Sequence, residues 1–407
     1  MLETMCGGVP KPRYAALRKL RRPADRAVLD EALVLYFPGP ASETGEDIAE
    51  LQIHGGRAVV AAVLAALGSI PGMRAAEPGE FARRALMNGK MDVLDLEALA
   101  DLIDADTEWQ RRQALEGGGG VLRRRADGWR DRLLAIRADL ETDIDFSDQS
   151  DVTERFDSTA ERLIEEMLTE IDQVLEGAHR GERLRDGFRV VLAGRPNAGK
   201  SSLMNALAGR DVAIVSATPG TTRDRIDVFL DLNGVPLHLA DTAGLQETTD
   251  AVEREGIRRS HGAMREADLV LWLSPSDAPS EPEETVHTAP VQIVRTKSDL
   301  AGPQDGLPGQ TVSIHDRNSV AALLSWLEQM ARDGLGGGEP TIVTRDRQRQ
   351  ELERCRAALR RALSVAGCTE LAAEEVRVAT TSLERLVGRI DVEDVLGAIF
   401  SRFCIGK

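Results

Sequence analysis

The stretch Arg189-Val190-Val191-Leu192-Ala193-Gly194-Arg195-Pro196-Asn197-Ala198-Gly199-Lys200-Ser201 decides the fold. Its opening is a short apolar run, which reads as a buried strand. Gly194 to Ser201 fits the Walker A pattern, and helical spacing resumes after it. A strand before and a helix after separate a phosphate-binding loop from an ordinary Gly-rich turn. In such a loop Asn197, Ala198, Gly199 and their neighbours turn backbone N–H groups toward a β-phosphate at a helix N-terminus. Lys200 neutralises β/γ oxygens and the Ser201 hydroxyl ligates Mg²⁺.

Three further elements come in the order a GTPase needs. Gly220-Thr221-Thr222-Arg223-Asp224 supplies a threonine, Thr222, for Mg²⁺ and the γ-phosphate. Asp241-Thr242-Ala243-Gly244, after a strand from Pro236 to Ala240, supplies a carboxylate at the Mg²⁺ water shell and a Gly amide for the γ-phosphate. Thr296-Lys297-Ser298-Asp299, after a strand from Val291 to Arg295, supplies Asp299, whose carboxylate accepts both ring N–H donors of guanine. Adenine offers no matching pair of donors. Thr296 stands where Asn is usual, which weakens the bracing between loops and leaves the base-reading carboxylate. Ser313, after Thr311-Val312, is a candidate for the last guanine loop. The residue after Gly244 is Leu245, so the water-orienting glutamine of Ras-like proteins is missing.

Outward from this segment the pattern changes on both sides. Upstream, Leu133, Ile136, Leu140 and Ile144 form one helical stripe, and Leu163, Met167, Ile171 and Leu175 another. Downstream, Leu352, Leu359, Leu363, Leu371, Val376, Leu383 and Leu386 are core candidates of renewed helix, after Gly334 to Pro340, which reads as a linker. The first ninety or so residues are α+β: a strand at Ala32 to Phe37, a second at Glu50 to Ile53, and a small-residue helix from Gly56 to Leu67. The expected architecture is multidomain, α/β plus all-α. It has an N-terminal α+β domain (1–88), a helical domain begun at 89–185 and resumed at 335–407, and a Ras-like P-loop G domain (186–334) inserted between its halves. Exposed loop tips tolerate such insertions. Between Ser274 and Pro290, four prolines predict that a helix is shortened or lost.

Bulk properties narrow the function. The 407 residues carry a formal net charge of −16, so the overall field repels phosphate backbones and any nucleic acid needs a local basic patch or a second protein. Aromatic residues are 3%, which leaves little for base stacking. The four cysteines make neither a CxxC pair nor a Cys/His cluster, so a cytoplasmic, reduced protein is expected. Neither a membrane span nor a signal peptide is evident.

Gly194 to Ser202, Gly220 to Asp224 and the terminal Phe403-Cys404-Ile405-Gly406-Lys407 together resemble the MnmE (TrmE) family of bacterial tRNA-modification GTPases. Thr44-Gly45-Glu46-Asp47, His54-Gly55-Gly56 and Pro78-Gly79-Glu80-Phe81 look like that family too. The likeness runs from Lys11 almost to the end. The family ordinarily opens on a further strand, a Gly/Pro-rich loop and an Arg-containing strand, to which Met1–Pro10 shows no likeness.

The resemblance implies a reaction. With an FAD-containing partner of the MnmG type, family members form 5-carboxymethylaminomethyluridine at the tRNA wobble position, using a one-carbon unit from 5-formyl- or methylene-tetrahydrofolate. It also implies GTP hydrolysis activated by K⁺, homodimers and a heterotetramer. By motif, Asn197 ligates K⁺ with Ser216, Thr218 and Thr221; Ala217 and Pro219 depart from the commoner residues of that loop, which leaves backbone carbonyl ligands intact. Glu253 matches the glutamate that orients the attacking water, although alone it reads as a solvated helix residue. Glu50, Lys90 and Lys407 match folate contacts, and alone each reads as a surface charge. Cys404 matches a functional cysteine or is a buried thiol. A ribosome-assembly switch sharing the same GTPase loops, and a non-catalytic nucleotide-dependent scaffold, are the competing readings.

Overall fold

The computed structural model describes residues 1–145, 158–209, 212–214, 227–241, 265, 267–282, 289–300, 309–365, 368–390 and 393–400. They form two compact units: Met1–Ala100 with the described residues from Glu384 onward, and Asp101–Leu383.

The first unit holds an antiparallel sheet in the order β1 (Ala16–Arg21), β2 (Val28–Phe37), β3 (Ile48–Gln52). Leu20, Ala32 and Val34 share its inner face by the two-residue strand period and are buried with Met5 of α1 (Leu2–Cys6) and Val63 and Ala66 of α2 (Arg57–Gly68). Strand β1 and helix α1 are absent from the sequence reading. Arg18 and Lys19 hide the alternation of β1, whose one fully buried residue is Leu20. Two more helices complete the N-terminal stretch, α3 (Glu80–Met87) and α4 (Val93–Ile103).

The second unit is an α/β sheet set among helices. Helices α5 (Glu108–Gly117), α6 (Val121–Asp145), α7 (Ser158–Glu176) and α8 (Ala178–Asp186) lead into β4 (Phe188–Ala193). Then come α9 (Lys200–Ala208), β5 (Ala213–Ile214), β6 (Asp227–Leu232), β7 (Val235–Asp241), β8 (Leu269–Pro275), β9 (Val291–Thr296), β10 (Gln310–Thr311) and α10 (Arg317–Gly334). The sheet order is β10-β9-β8-β4-β7-β6-β5, parallel from β10 to β7 and antiparallel at β6 and β5. Helices α5, α8, α9 and α10 pack Trp109, Leu184, Leu203 and Leu323 onto one face of this sheet, against Val190, Leu192 and Leu271.

After the sheet, α11 (Asp346–Ser364) returns to the earlier helices, and α12 (Thr369–Val387) and α13 (Glu393–Phe400) come last. Arg356 and Arg360 of α11 both reach Asp172 of α7 at 3.1 Å, and Arg349 reaches Glu182 of α8 at 3.0 Å. Helix from before the sheet therefore packs on helix from after it, as expected of an interrupted helical domain. Two details differ from the sequence reading. On α7 the fully buried stripe is Ile164, Met167 and Ile171, with Leu163 and Leu175 half-buried beside it, and Leu371 is 55% exposed. The expected linker is a packed joint: Leu335 is buried, and Gly338, at φ 77, lies so close to Trp109 that a Cβ there would sit 2.5 Å from the ring. Gln113 and Thr341 exchange two hydrogen bonds beside it. The described residues between Ser276 and Pro282 are non-helical, in keeping with the prolines. No helix among the described residues is long and apolar enough to cross a membrane.

Candidate nucleotide-binding site

Strand β4 lies centrally, flanked by β7 and β8, and its C-terminal end opens into the loop from Gly194 to Gly199. Parallel α/β sheets bind ligands in the crevice outside these strand ends. The loop needs its glycines. Gly194 has φ 144, and a Cβ on it would fall 2.7 Å from the Leu273 carbonyl oxygen of β8. Gly199 has φ 93 and caps α9, and Asn197 also takes a positive φ, 63. This winding leaves the first N–H groups of α9 without intrahelical partners, at the positive end of the helix dipole. That is a site for phosphate.

Lys200 folds back over the loop. Its Nζ donates to the carbonyl oxygens of Gly194 at 2.8 Å and Arg195 at 3.2 Å. Burial lowers its pKa, and the nearby Asp241 carboxylate opposes that shift. Asp241 ends β7, is 6% exposed, and accepts a hydrogen bond from Ser201 Oγ at 3.1 Å. A hydroxyl and a carboxylate so placed are the hard oxygen donors that Mg²⁺ takes beside nucleotide phosphates, so these residues fit the ion. Ala198 is buried, whereas Asn197, Ser201 and Ser202 line the loop and first turn and are all exposed.

The end expected to read the base is built from the loops after β9 and β10. Asp299 Oδ1 accepts from Ser313 Oγ at 2.6 Å, and this bond leads the causes that lower the Asp299 pKa, which keeps the carboxylate ionised as an acceptor. Ser313 is buried, and its N–H donates to Ser319 Oγ at 3.1 Å in the first turn of α10, which Asp316 caps. The brace that Thr296 was expected to weaken is made by its hydroxyl: Oγ1 donates to the Ala198 carbonyl at 2.7 Å and links the two loops. Lys297 has φ 56, and its Nζ pairs with Asp277 at 3.0 Å. Asp277 has no motif to mark it in the sequence; its only cue is its place two residues after β8.

Thus the structure brings Asn197, Ala198, Gly199, Lys200, Ser201, Ser202 and Asp241 to one end of the sheet, with Thr296, Lys297, Asp299 and Ser313 beside them. Ser216, Ala217, Thr218, Pro219, Gly220, Thr221, Thr222, Thr242, Ala243, Gly244, Glu253, Cys404 and Lys407 lie outside the described residues. Glu50 is exposed on β3 opposite Leu35, and Lys90 is exposed on the turn after α3 with its side chain beside Gly45. Among the described residues no hydrogen bond or ion pair joins Glu50 to Lys90.

Residues 94–404 match the family model of the MnmE helical domain, and residues 1–90 match that of the GTP-binding protein TrmE N-terminus. The second match begins at Met1, so the likeness reaches ten residues further than Lys11, across α1. The tRNA modification GTPase MnmE of Beijerinckia indica is 48% identical over 411 residues, covering 100% of this chain and 90% of that protein. The protein of the same description from Methylorubrum populi is 49% identical over 409 residues, covering 100% and 92%.

Proposed function

The chain belongs to the MnmE (TrmE) family of tRNA modification GTPases, and from that premise we propose that it couples K⁺-activated GTP hydrolysis to formation of 5-carboxymethylaminomethyluridine at the tRNA wobble position. The observation that carries this reading is the joined geometry of Lys200, Ser201, Asp241 and Asp299 in a chain that matches the family over its whole length. GTP is the nucleotide because Asp299 offers an ionised acceptor to the guanine ring donors.

Each residue has a physical role. Lys200 leaves the loop carbonyls for the β/γ-phosphate oxygens. Ser201 and Thr222 would hold Mg²⁺, with Asp241 at its water shell, and the ion supplies charge neutralisation when bound. Positive charge at the β–γ bridge is worth about 10³–10⁵ in rate when an arginine finger provides it. No arginine is placed by motif for that task, and Leu245 replaces the Ras-type glutamine. We assign the charge to K⁺ held by Asn197 with Ser216, Thr218 and Thr221, and the positioning of water to Glu253. Glu50, Lys90 and Lys407 are assigned to a tetrahydrofolate, and Cys404 to the modification chemistry. An FAD-containing MnmG-type protein is the proposed partner, homodimerisation and a heterotetramer the proposed assembly, the cytoplasm the proposed compartment, and 1–88, 89–185, 186–334 and 335–407 the proposed domains.

The test is steady-state GTP turnover in K⁺ against Na⁺ at equal ionic strength. Turnover is expected to fall sharply in Na⁺. Asn197→Ala is expected to lose the K⁺ response with little change in nucleotide affinity, and Glu253→Ala to stop turnover in either salt. Equal rates in both salts contradict the K⁺ assignment.

A further inference from the structure

The chain is acidic overall, yet one corner reverses the sign. Between Glu108 and Arg132 there are seven arginines against four carboxylates, in a chain of net charge −16. Five of these arginines are exposed: Arg111 and Arg112 on α5 and Arg123, Arg124 and Arg125 on α6. The two helices meet at Gly117-Gly118-Gly119-Gly120, and at about 1.5 Å of rise per residue all five lie within roughly 10 Å of that turn along the helix axes.

We propose that this α5–α6 corner is where the chain grips the sugar–phosphate backbone of tRNA, an inference that rests on tRNA being the substrate. The arginines differ in how they are held. Arg111 is tied to Glu108 by two hydrogen bonds at 2.7 and 2.8 Å, and Arg124 donates to the Gly119 carbonyl at 2.8 Å. Arg112 and Arg125 have no ion-pair partner among the described residues, so their guanidinium forks are open to bidentate phosphate contact. The four glycines put no side chain between the arginines, so a backbone can approach the turn closely. With 3% aromatic residues in the chain, recognition rests on phosphate position and not on base stacking. The inner faces of both helices are occupied: Leu122, Ala126 and Trp129 of α6 are buried, as are Trp109, Gln113 and Ala114 of α5. The arginine face is therefore the outward one. Helix α5 also touches the sheet, where the backbone N–H of Trp109 donates to the Gly234 carbonyl of the β6–β7 turn at 3.2 Å.

The experiment measures binding of a fluorescent, unmodified tRNA transcript to the full chain and to Arg112→Gln/Arg125→Gln across a salt series. Neither residue belongs to the nucleotide site or holds an ion pair among the described residues, so intrinsic GTP turnover and the circular dichroism spectrum should not move. Each lost phosphate contact lowers the slope of log affinity against log salt by about one, so the double variant should lose about two. Between about 50 and about 200 mM salt, the unsubstituted chain should then lose affinity roughly tenfold more than the variant does. The weakening should be uniform across tRNA sequences. Equal affinity and slope for the two proteins overturn the surface while leaving the tRNA reading intact. Failure of the unsubstituted chain to bind tRNA overturns both. Unchanged tRNA binding with weakened binding of the FAD-containing partner assigns the corner to a protein and also overturns it.

Discussion

On the function proposed, Asp299 reads the base through one carboxylate that Ser313 holds in place at 2.6 Å. Replacing it by Asn turns an acceptor pair into a mixed donor and acceptor, which suits xanthine and not guanine. One hydrogen bond to a charged group is lost, at about 1.5–3 kcal/mol, and the other loses its charge, so GTP affinity should fall by at least roughly 10–10² while xanthosine triphosphate gains. Calorimetric titration of Asp299→Asn checks this, and unchanged GTP affinity would exclude Asp299 as the base reader. At this scale the sequence was informative wherever a motif fixes spacing: Lys200, Ser201 and Asp241 fall where their pattern demands. It was silent on partners brought in by the fold. Asp277 is twenty residues from Lys297 and meets it because β8 and β9 are parallel neighbours. The role of Thr296 was also hidden, because its hydroxyl reaches Ala198 only once two loops have come together.

Among the elements, the Gly336–Gly338 turn joins α10 to the later helices, and it is held as a packed corner. Gly338 pairs a positive φ, 77, with a ring face where a side chain would sit. Gly338→Ala is therefore expected to destabilise the chain by about 2 kcal/mol or more, through left-handed strain and a clash with Trp109 together. Gly120→Ala supplies the comparison: it has a similar φ, 67, and its nearest neighbour is the flexible end of Arg124 at 3.3 Å. Its loss should be smaller. Denaturant midpoints of the two variants measure the difference, and equal shifts would remove the packing argument. Composition alone could not separate this corner from a linker, because the ring that fills it lies more than two hundred residues upstream. Strand β1 escaped for a different reason. Arg18, on the same face as Leu20, and Lys19, on the other, are both exposed, so only Leu20 marks it as buried, whereas β4 is apolar at nearly every position and could not be missed.

At the scale of the whole molecule, sequence order and spatial order part company. Helices from before and after the sheet pack on one another through Asp172, Arg356 and Arg360, and Arg183 of α8 reaches Asp268, at the start of β8, at 2.8 Å. The interruption was legible because hydrophobic period changes twice, from helix to alternating strand and helix and back. The partners of each interhelical ion pair were not, since charges on a helix face carry no address in the sequence. The central claim is that the P-loop of this chain drives tRNA wobble modification. Its most direct test is mass spectrometry of wobble nucleosides in tRNA from a strain lacking the gene, complemented with this chain or with Lys200→Ala. The account predicts 5-carboxymethylaminomethyluridine with the unsubstituted chain and its loss with Lys200→Ala at equal protein level; restoration by both, or by neither, would contradict it.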